Sequence, residues 1–232
     1  MSNQNQSQMQ AVSHAAHTQK LVLLAVLSAI AYLCVFVFRI PLVSFLKYEP
    51  KDVVITIGGF LFGPLSSFIM SLVVSLIEMV TISDTGPIGL LMNVLSTAAF
   101  SVTAAAIYKK KRSFSGAVIG LLVGTILMTV LMILWNYLIT PYYLLTPRET
   151  VKAMLVPVFL PFNLIKGGLN MALTLFLYKP FSNILKKAHL TPLHTEGEHS
   201  HPSRQWIPLL LAAIILVISI VSALMLGGVL SF

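Results

Sequence analysis

The sequence predicts an all-α integral membrane protein built from seven membrane helices, and three observations carry that expectation. Hydrophobic residues make up 57% of the 232-residue chain, charged residues only 9%, and the mean hydropathy is +0.90. Soluble domains carry about 25% charged residues, so a water-soluble globule is excluded. Seven apolar stretches recur along the chain, at residues 20–38, 53–63, 65–82, 87–108, 115–139, 156–180 and 206–230. Basic residues collect between particular stretches, as they do in chains that thread a bilayer.

Taken in order, residues 1–17 are polar and low in complexity, and are expected to form a disordered lead. They lack the basic start of a signal peptide, and no small-residue cleavage site follows, so the run from Leu21 reads as a retained first helix. The second and third stretches meet at Phe62-Gly63-Pro64 and are each short. They form either two modest helices or a re-entrant hairpin. Two helices are favoured, because residues 65–80 stay apolar until Glu78. The fourth stretch ends in Lys109-Lys110-Lys111-Arg112, and Lys179, Lys186, Lys187 and Arg204 follow the sixth. Residues 18–188 therefore form one six-helix membrane domain. A cytoplasmic linker at 189–205 and a further membrane helix at 206–230 complete the chain.

Charge fixes the expected orientation. Placing Lys20, the 109–112 cluster and the basic residues after the sixth stretch inside puts nine of the fifteen Lys and Arg residues in the cytoplasm. Five are then outside, and the fifteenth is Lys166. This satisfies the positive-inside rule for a cell-membrane protein with a cytoplasmic N-terminus. The net charge of +8 is thus a matter of sidedness, and no nucleic-acid partner is implied.

No catalytic constellation is visible. There is no glycine-rich phosphate loop followed by Lys-Ser/Thr, no His-Glu-x-x-His pair and no Gly-x-Ser-x-Gly elbow. The expectation is a protein that is not an enzyme and carries no cofactor. Cys34 is the single cysteine, so no internal disulfide exists. His194, His199 and His201, with Glu196 and Glu198, either bind a metal loosely or belong to a solvated linker.

The informative residue is Lys166, a charge inside the sixth apolar stretch. At the bilayer centre such a group costs roughly 2.5–3.5 kcal/mol on insertion scales, so it faces a cavity or a partner. Asn163 and Asn170 lie about one helical turn to either side and share its face. Asn136 beside Trp135 and Tyr137, Asn93 with Ser96, and Glu78 add polar groups in other stretches. Amides donate and accept while an ammonium only donates. The set suits a small, largely planar ligand bearing carbonyls and ring nitrogens. Helix–helix hydrogen bonding is the alternative for each single asparagine. Tyr142 and Tyr143 stand above the expected pocket, or serve as interfacial anchors.

Three blocks carry a family resemblance. Residues 46–64, beginning Leu46-Lys47-Tyr48-Glu49-Pro50-Lys51-Asp52, resemble the first outer loop and second helix of the vitamin-binding S components of energy-coupling factor (ECF) transporters. Residues 135–143 and 160–170 resemble the riboflavin-specific branch of that family. The resemblance covers about 18–188 and implies a six-helix S-component bundle, without enzymatic activity, that captures riboflavin. Such a subunit docks onto an energising module of a membrane scaffold subunit and two ATP-binding cassette ATPases. The resemblance assigns flavin contact to Asn136, Asn163 and Lys166, and a lid or rim role to loop 47–52, including Lys47 and Tyr48. It assigns scaffold contact to Ala25 and Ala29. Another vitamin, a flavin nucleotide, or an independent secondary transporter or channel are the alternatives. The stretch at 206–230 is additional to the family pattern.

Overall fold

The protein is described by a computed structural model covering residues 2–43, 46–83, 85–187 and 206–226. The main helices are α1 (Ser2–Val37), α2 (Lys51–Phe62), α3 (Pro64–Thr81), α4 (Gly86–Lys111) and α5 (Phe114–Leu138). After two short helices, α6 (Thr140–Tyr143) and α7 (Arg148–Met154), come α8 (Leu160–Lys187) and α9 (Trp206–Leu226). The all-α membrane architecture is as the composition requires. The linker at 189–205, with its histidines, and residues 227–230 lie outside the described residues.

Two boundaries differ from expectation. Helix α1 begins at Ser2, so the segment expected to be a disordered lead is helical. Residues 2–20 contain no glycine or proline, and nothing stops the helix from extending outward from its apolar part. Among the described residues, five helices are long and apolar enough to cross a membrane. The 12-residue α2 is not one of them, spanning roughly 18 Å at the helical rise. It is instead a short central helix, buried along nearly its whole length against α1, α3, α4 and α8. Its burial on all sides made it read as a membrane stretch.

Around α2, helices α1, α3, α4, α5 and α8 pack in sequence. Their outward faces carry exposed apolar side chains such as Leu65, Val80, Ile126 and Val130, as lipid contact requires. The most extensive contact joins α4 to α5, where Gly120 and Gly124 lie against the backbone of Ala104 and Phe100. A Cβ at Gly124 would stand 2.6 Å from the Phe100 carbonyl oxygen, so glycine is what lets the helices approach. At the basic end, Phe60 stacks on Tyr108 with ring centroids 4.5 Å apart, and Tyr178 meets both edge-on. The Tyr108 and Tyr178 hydroxyls are hydrogen-bonded. This aromatic cluster fills the bundle at the end opposite Arg39 and the start of α4.

Two local features were not expected. Residues after α1 form a hairpin, β1 (Ile40–Val43) and β2 (Leu46–Tyr48), with Ile40 opposite Tyr48 and Pro41 opposite Lys47. Between α7 and α8 the chain forms a π-helical segment, Leu155–Phe159, closed by the Leu160 N–H on the Leu155 carbonyl. Pro157 and Pro161 lack the N–H groups an α-helix would use, and the wider turn relieves the clash of a proline ring with the preceding turn.

Candidate functional site

A cavity of about 320 Å³ lies at the end of the bundle away from the basic cluster. It is built where Arg39 after α1, the hairpin, α3, α4, α5, α6 and α8 converge. The aromatic and apolar walls include Met92, Met132, Trp135, Tyr143 and Phe162. Polar groups on the wall include Asn93, Ser96, Asn136, Asn163 and Lys166. Its size falls within the range of small-molecule pockets, about 300–1,000 Å³.

The two asparagines on α5 and α8 are held in the same way. Asn136 donates from Nδ2 to the Met132 carbonyl at 2.6 Å and accepts from Thr140 Oγ1 at 2.8 Å. Asn163 donates from Nδ2 to the Phe159 carbonyl at 2.8 Å. That carbonyl belongs to the π-helical segment, so the irregular turn supplies the bond that orients the side chain. Asn163 Oδ1 has no partner among the described residues, and it is available to a ligand.

A largely buried ionic network forms part of the wall, which Arg39, Glu49, Glu78 and Lys166 line, and continues behind it to Lys51 and Asp52. Lys166 Nζ pairs with Asp52 Oδ2 at 3.3 Å and donates to Ser96 Oγ at 3.3 Å. Asp52, fully buried in the first turn of α2, also accepts from Thr97 Oγ1 at 2.7 Å and Asn170 Nδ2 at 3.0 Å. Asn170 Oδ1 in turn accepts from the Tyr48 hydroxyl at 2.9 Å. Beside this chain Lys51, also fully buried, meets Glu78 at 2.6 Å and Glu49 at 3.1 Å. Asn93 Nδ2 donates to Glu78, and Arg39 pairs with Glu49 at 3.0 Å. Three cations, Arg39, Lys51 and Lys166, thus neutralise three carboxylates, Glu49, Asp52 and Glu78. Buried charges persist only with such pairing.

Two groups on the outer loop show the electrostatic cost. Burial pushes the Tyr48 hydroxyl well above its ordinary range, and the nearby Asp52 carboxylate adds to the shift. It therefore stays protonated as a donor. Burial would likewise raise Glu49, but Lys51, Lys166 and Arg39 outweigh it and hold the carboxyl below its ordinary value.

Of the residues singled out from sequence, Asn93, Asn136, Asn163, Lys166 and Lys47 come together around the cavity. Asn170 and Tyr48 lie behind Lys166 and do not line it. Tyr142 does not line it either: it is 69% exposed and carries Arg148 against its ring and hydroxyl. Its neighbour Tyr143 takes the cavity position, because one step along the short α6 turns the side chain by about 100°. Ala25 and Ala29 lie on the exposed face of α1. Sequence reasoning missed Asp52, Lys51 and Arg39 as network members. The rule that a charge in the membrane pairs with an opposite charge would have pointed from Lys166 to the carboxylates of the first outer loop.

Comparisons with known proteins agree with this architecture. Residues 19–178 match the family described as ECF transporter, substrate-specific component. The chain is 35% identical over 177 residues to the riboflavin transporter RibU of Staphylococcus aureus, covering 73% of this chain and 93% of that protein. It is 31% identical over 186 residues to the riboflavin transporter FmnP of Bacillus subtilis, covering 74% and 98%. A solved structure, described as the S component of a bacterial ECF transporter, superimposes with a TM-score of 0.62 at 35% identity, over 73% of this chain and 99% of that one. The matched region holds α2 to α5, all three cavity asparagines and Lys166, while α9 lies beyond it. The relatives are transport proteins, and this multi-pass membrane chain, with five membrane-length helices among the described residues, belongs to the substrate-specific component family of ECF transporters.

Proposed function

We propose that the chain is the riboflavin-binding subunit of an uptake system and passes riboflavin to an ATP-driven energising module. The observation that carries this reading is the convergence of Asn136, Asn163 and Lys166 with Trp135, Tyr143 and Phe162 on one cavity. A flavin ring is planar and edged with carbonyls and ring nitrogens. Flat aromatic walls supply contact area, the amides donate and accept at the edge, and the Lys166 ammonium donates to a carbonyl. A ligand without those edge groups leaves buried donors unpaired, which is a strong basis for rejection. The names of the two relatives at 35% and 31% identity support the choice of ligand.

Asn93 and Lys47 complete the polar lining at the mouth, Tyr142 stands at the outer rim, and Tyr48 and Asn170 hold Lys166 from behind. The cavity opens outward and the 109–112 basic cluster faces the cytoplasm, with the N-terminus, in the cell membrane. Energy for delivery comes from a partner, since the sequence has no nucleotide-binding loop. The exposed Ala25 and Ala29 offer a flat stripe to the scaffold subunit of that module.

The purified protein tests this directly. Quenching of riboflavin fluorescence, saturating at one flavin per chain, is the expected result; no binding up to micromolar riboflavin overturns it. A panel with flavin mononucleotide and other vitamins separates the ligand alternatives. Uptake into vesicles by the chain alone, without ATPases, replaces the partnered reading with that of an independent transporter.

A further inference from the structure

Helix α9 lies outside the matched family region, yet it is not a loose appendage. It packs along α8 and reaches β1 of the hairpin. In lipid no hydrophobic driving force holds two apolar helices together, so such contacts rest on shape and polar groups. The shape is present: Ser219 is buried over Gly168, and a Cβ at Gly168 would collide with Ser219 Oγ. Nearer the cavity end, Ala223 joins Tyr48, Ile165 and Leu169 in one buried apolar cluster, with Leu42 and Leu216 packed against it. Leu42 belongs to β1 and Tyr48 to β2, so one cluster joins α9 to side chains of both strands and to the back of α8, with α9 meeting β1 directly.

The same cluster leads to the cavity by a polar route. Tyr48 donates to Asn170, Asn170 donates to Asp52, and Asp52 pairs with Lys166 on the cavity wall. Lys166 is held from α2 by Asp52, and Asn170, which also holds Asp52, is held from the hairpin by Tyr48. We propose that α9 is a strap that fixes the β1–β2 hairpin against α8 and thereby slows escape of the ligand from the cavity. Ser219, Leu216 and Ala223 are positioning residues in this arrangement. The proposal takes its ligand from the riboflavin reading, but the strap itself has a readout that needs no ligand.

The test uses the full-length protein with Ser219→Leu and Ala223→Leu together, which wedge α9 away from α8 and the hairpin. Riboflavin release should quicken roughly three- to tenfold, within the range of couplings carried by packed networks, with one flavin still bound per chain. Amide hydrogen exchange at residues 40–48 should rise with or without flavin. Val217→Leu, on the 59%-exposed outer face of α9, should change neither. Release within about twofold of the parent, or unchanged exchange in the hairpin, overturns the strap, since couplings below this size are ordinary scatter between unconnected sites. If the double variant fails to fold, Ser219→Leu alone is measured by the same two readouts and judged by the same limits. Should the parent bind no riboflavin, the ligand reading fails on its own and the exchange measurement still decides whether α9 restrains the hairpin.

Discussion

Lys166 Nζ stands 3.3 Å from Asp52 Oδ2, so the ammonium on α8 is neutralised by a carboxylate in the first turn of α2. The pair joins two elements that are 114 residues apart in sequence (166 − 52) and meet just behind the cavity wall. One side chain thereby faces two tasks, presenting a donor to a ligand and balancing a buried charge.

These tasks are separable by substitution. Lys166→Met should weaken riboflavin binding and also destabilise the fold, because breaking a buried pair typically costs about 3–5 kcal/mol. Adding Asp52→Asn removes the orphaned charge, and should recover thermal stability without recovering affinity. Fluorescence titration and thermal unfolding of the two proteins check this; parallel recovery of both properties would return Lys166 to a purely structural role.

Lys51 should prove the more damaging site for the fold. It is fully buried between Glu49 and Glu78, so Lys51→Met leaves Glu78 without a cation and Glu49 with Arg39 alone. A loss of about 3–5 kcal/mol is expected by the same reasoning, read as a large drop in thermal midpoint or in yield of monodisperse protein. Lys152→Met, whose partner Glu149 is exposed, should have no measurable effect.

Asn163→Leu tests ligand recognition with little cost to charge balance. Its only bond among the described residues runs to the Phe159 carbonyl, whereas its Oδ1 is unpartnered there. Losing the edge contacts to a flavin should cost about 1–3 kcal/mol, a rise in Kd of roughly five- to 150-fold. Riboflavin titration decides, and an unchanged Kd would remove Asn163 from the contact set.

Acid should loosen the outer loop through Glu49. Its folded carboxyl is held below the ordinary value of 4.5, so ionised Glu49 favours the folded state above that value. The contribution is lost as pH falls through the lowered folded value. Thermal midpoints measured stepwise below pH 4.5 should therefore fall more steeply in the parent than in Glu49→Gln. Equal slopes would mean that the three cations around Glu49 do not stabilise its charge.

The five membrane-length helices were legible because length and composition alone set them, whereas the 12-residue α2 was read as a membrane helix too because it is apolar and buried. So was the cavity-facing part of α8, because Lys166 has no inexpensive place in lipid and Asn163 lies at helical spacing from it. Asn136 was legible for the same reason. Tyr142 was misplaced because α6 is one turn long, too short for periodicity to say which of two adjacent tyrosines turns inward. Lys51 and Asp52 read as loop residues because hydrophilic side chains beside a proline look solvated. Only the tertiary pairing of Lys51 with Glu78, and of Asp52 with Lys166, shows them buried. The β1–β2 hairpin was missed because a pair of short strands carries no alternation long enough to detect.

The π-helical segment at Leu155–Phe159 acts as a phase shifter in the element that carries Asn163 and Lys166. One residue more than an α-turn requires advances everything downstream by about 100° around the axis. Deleting a single residue there would keep the composition, the hydropathy and the helix itself, yet would rotate the amide and the ammonium off the cavity and away from Asp52. Counting, rather than chemistry, is what that stretch contributes. Insertions and deletions in it should be far less tolerated than substitutions, a pattern opposite to that of an ordinary connecting turn.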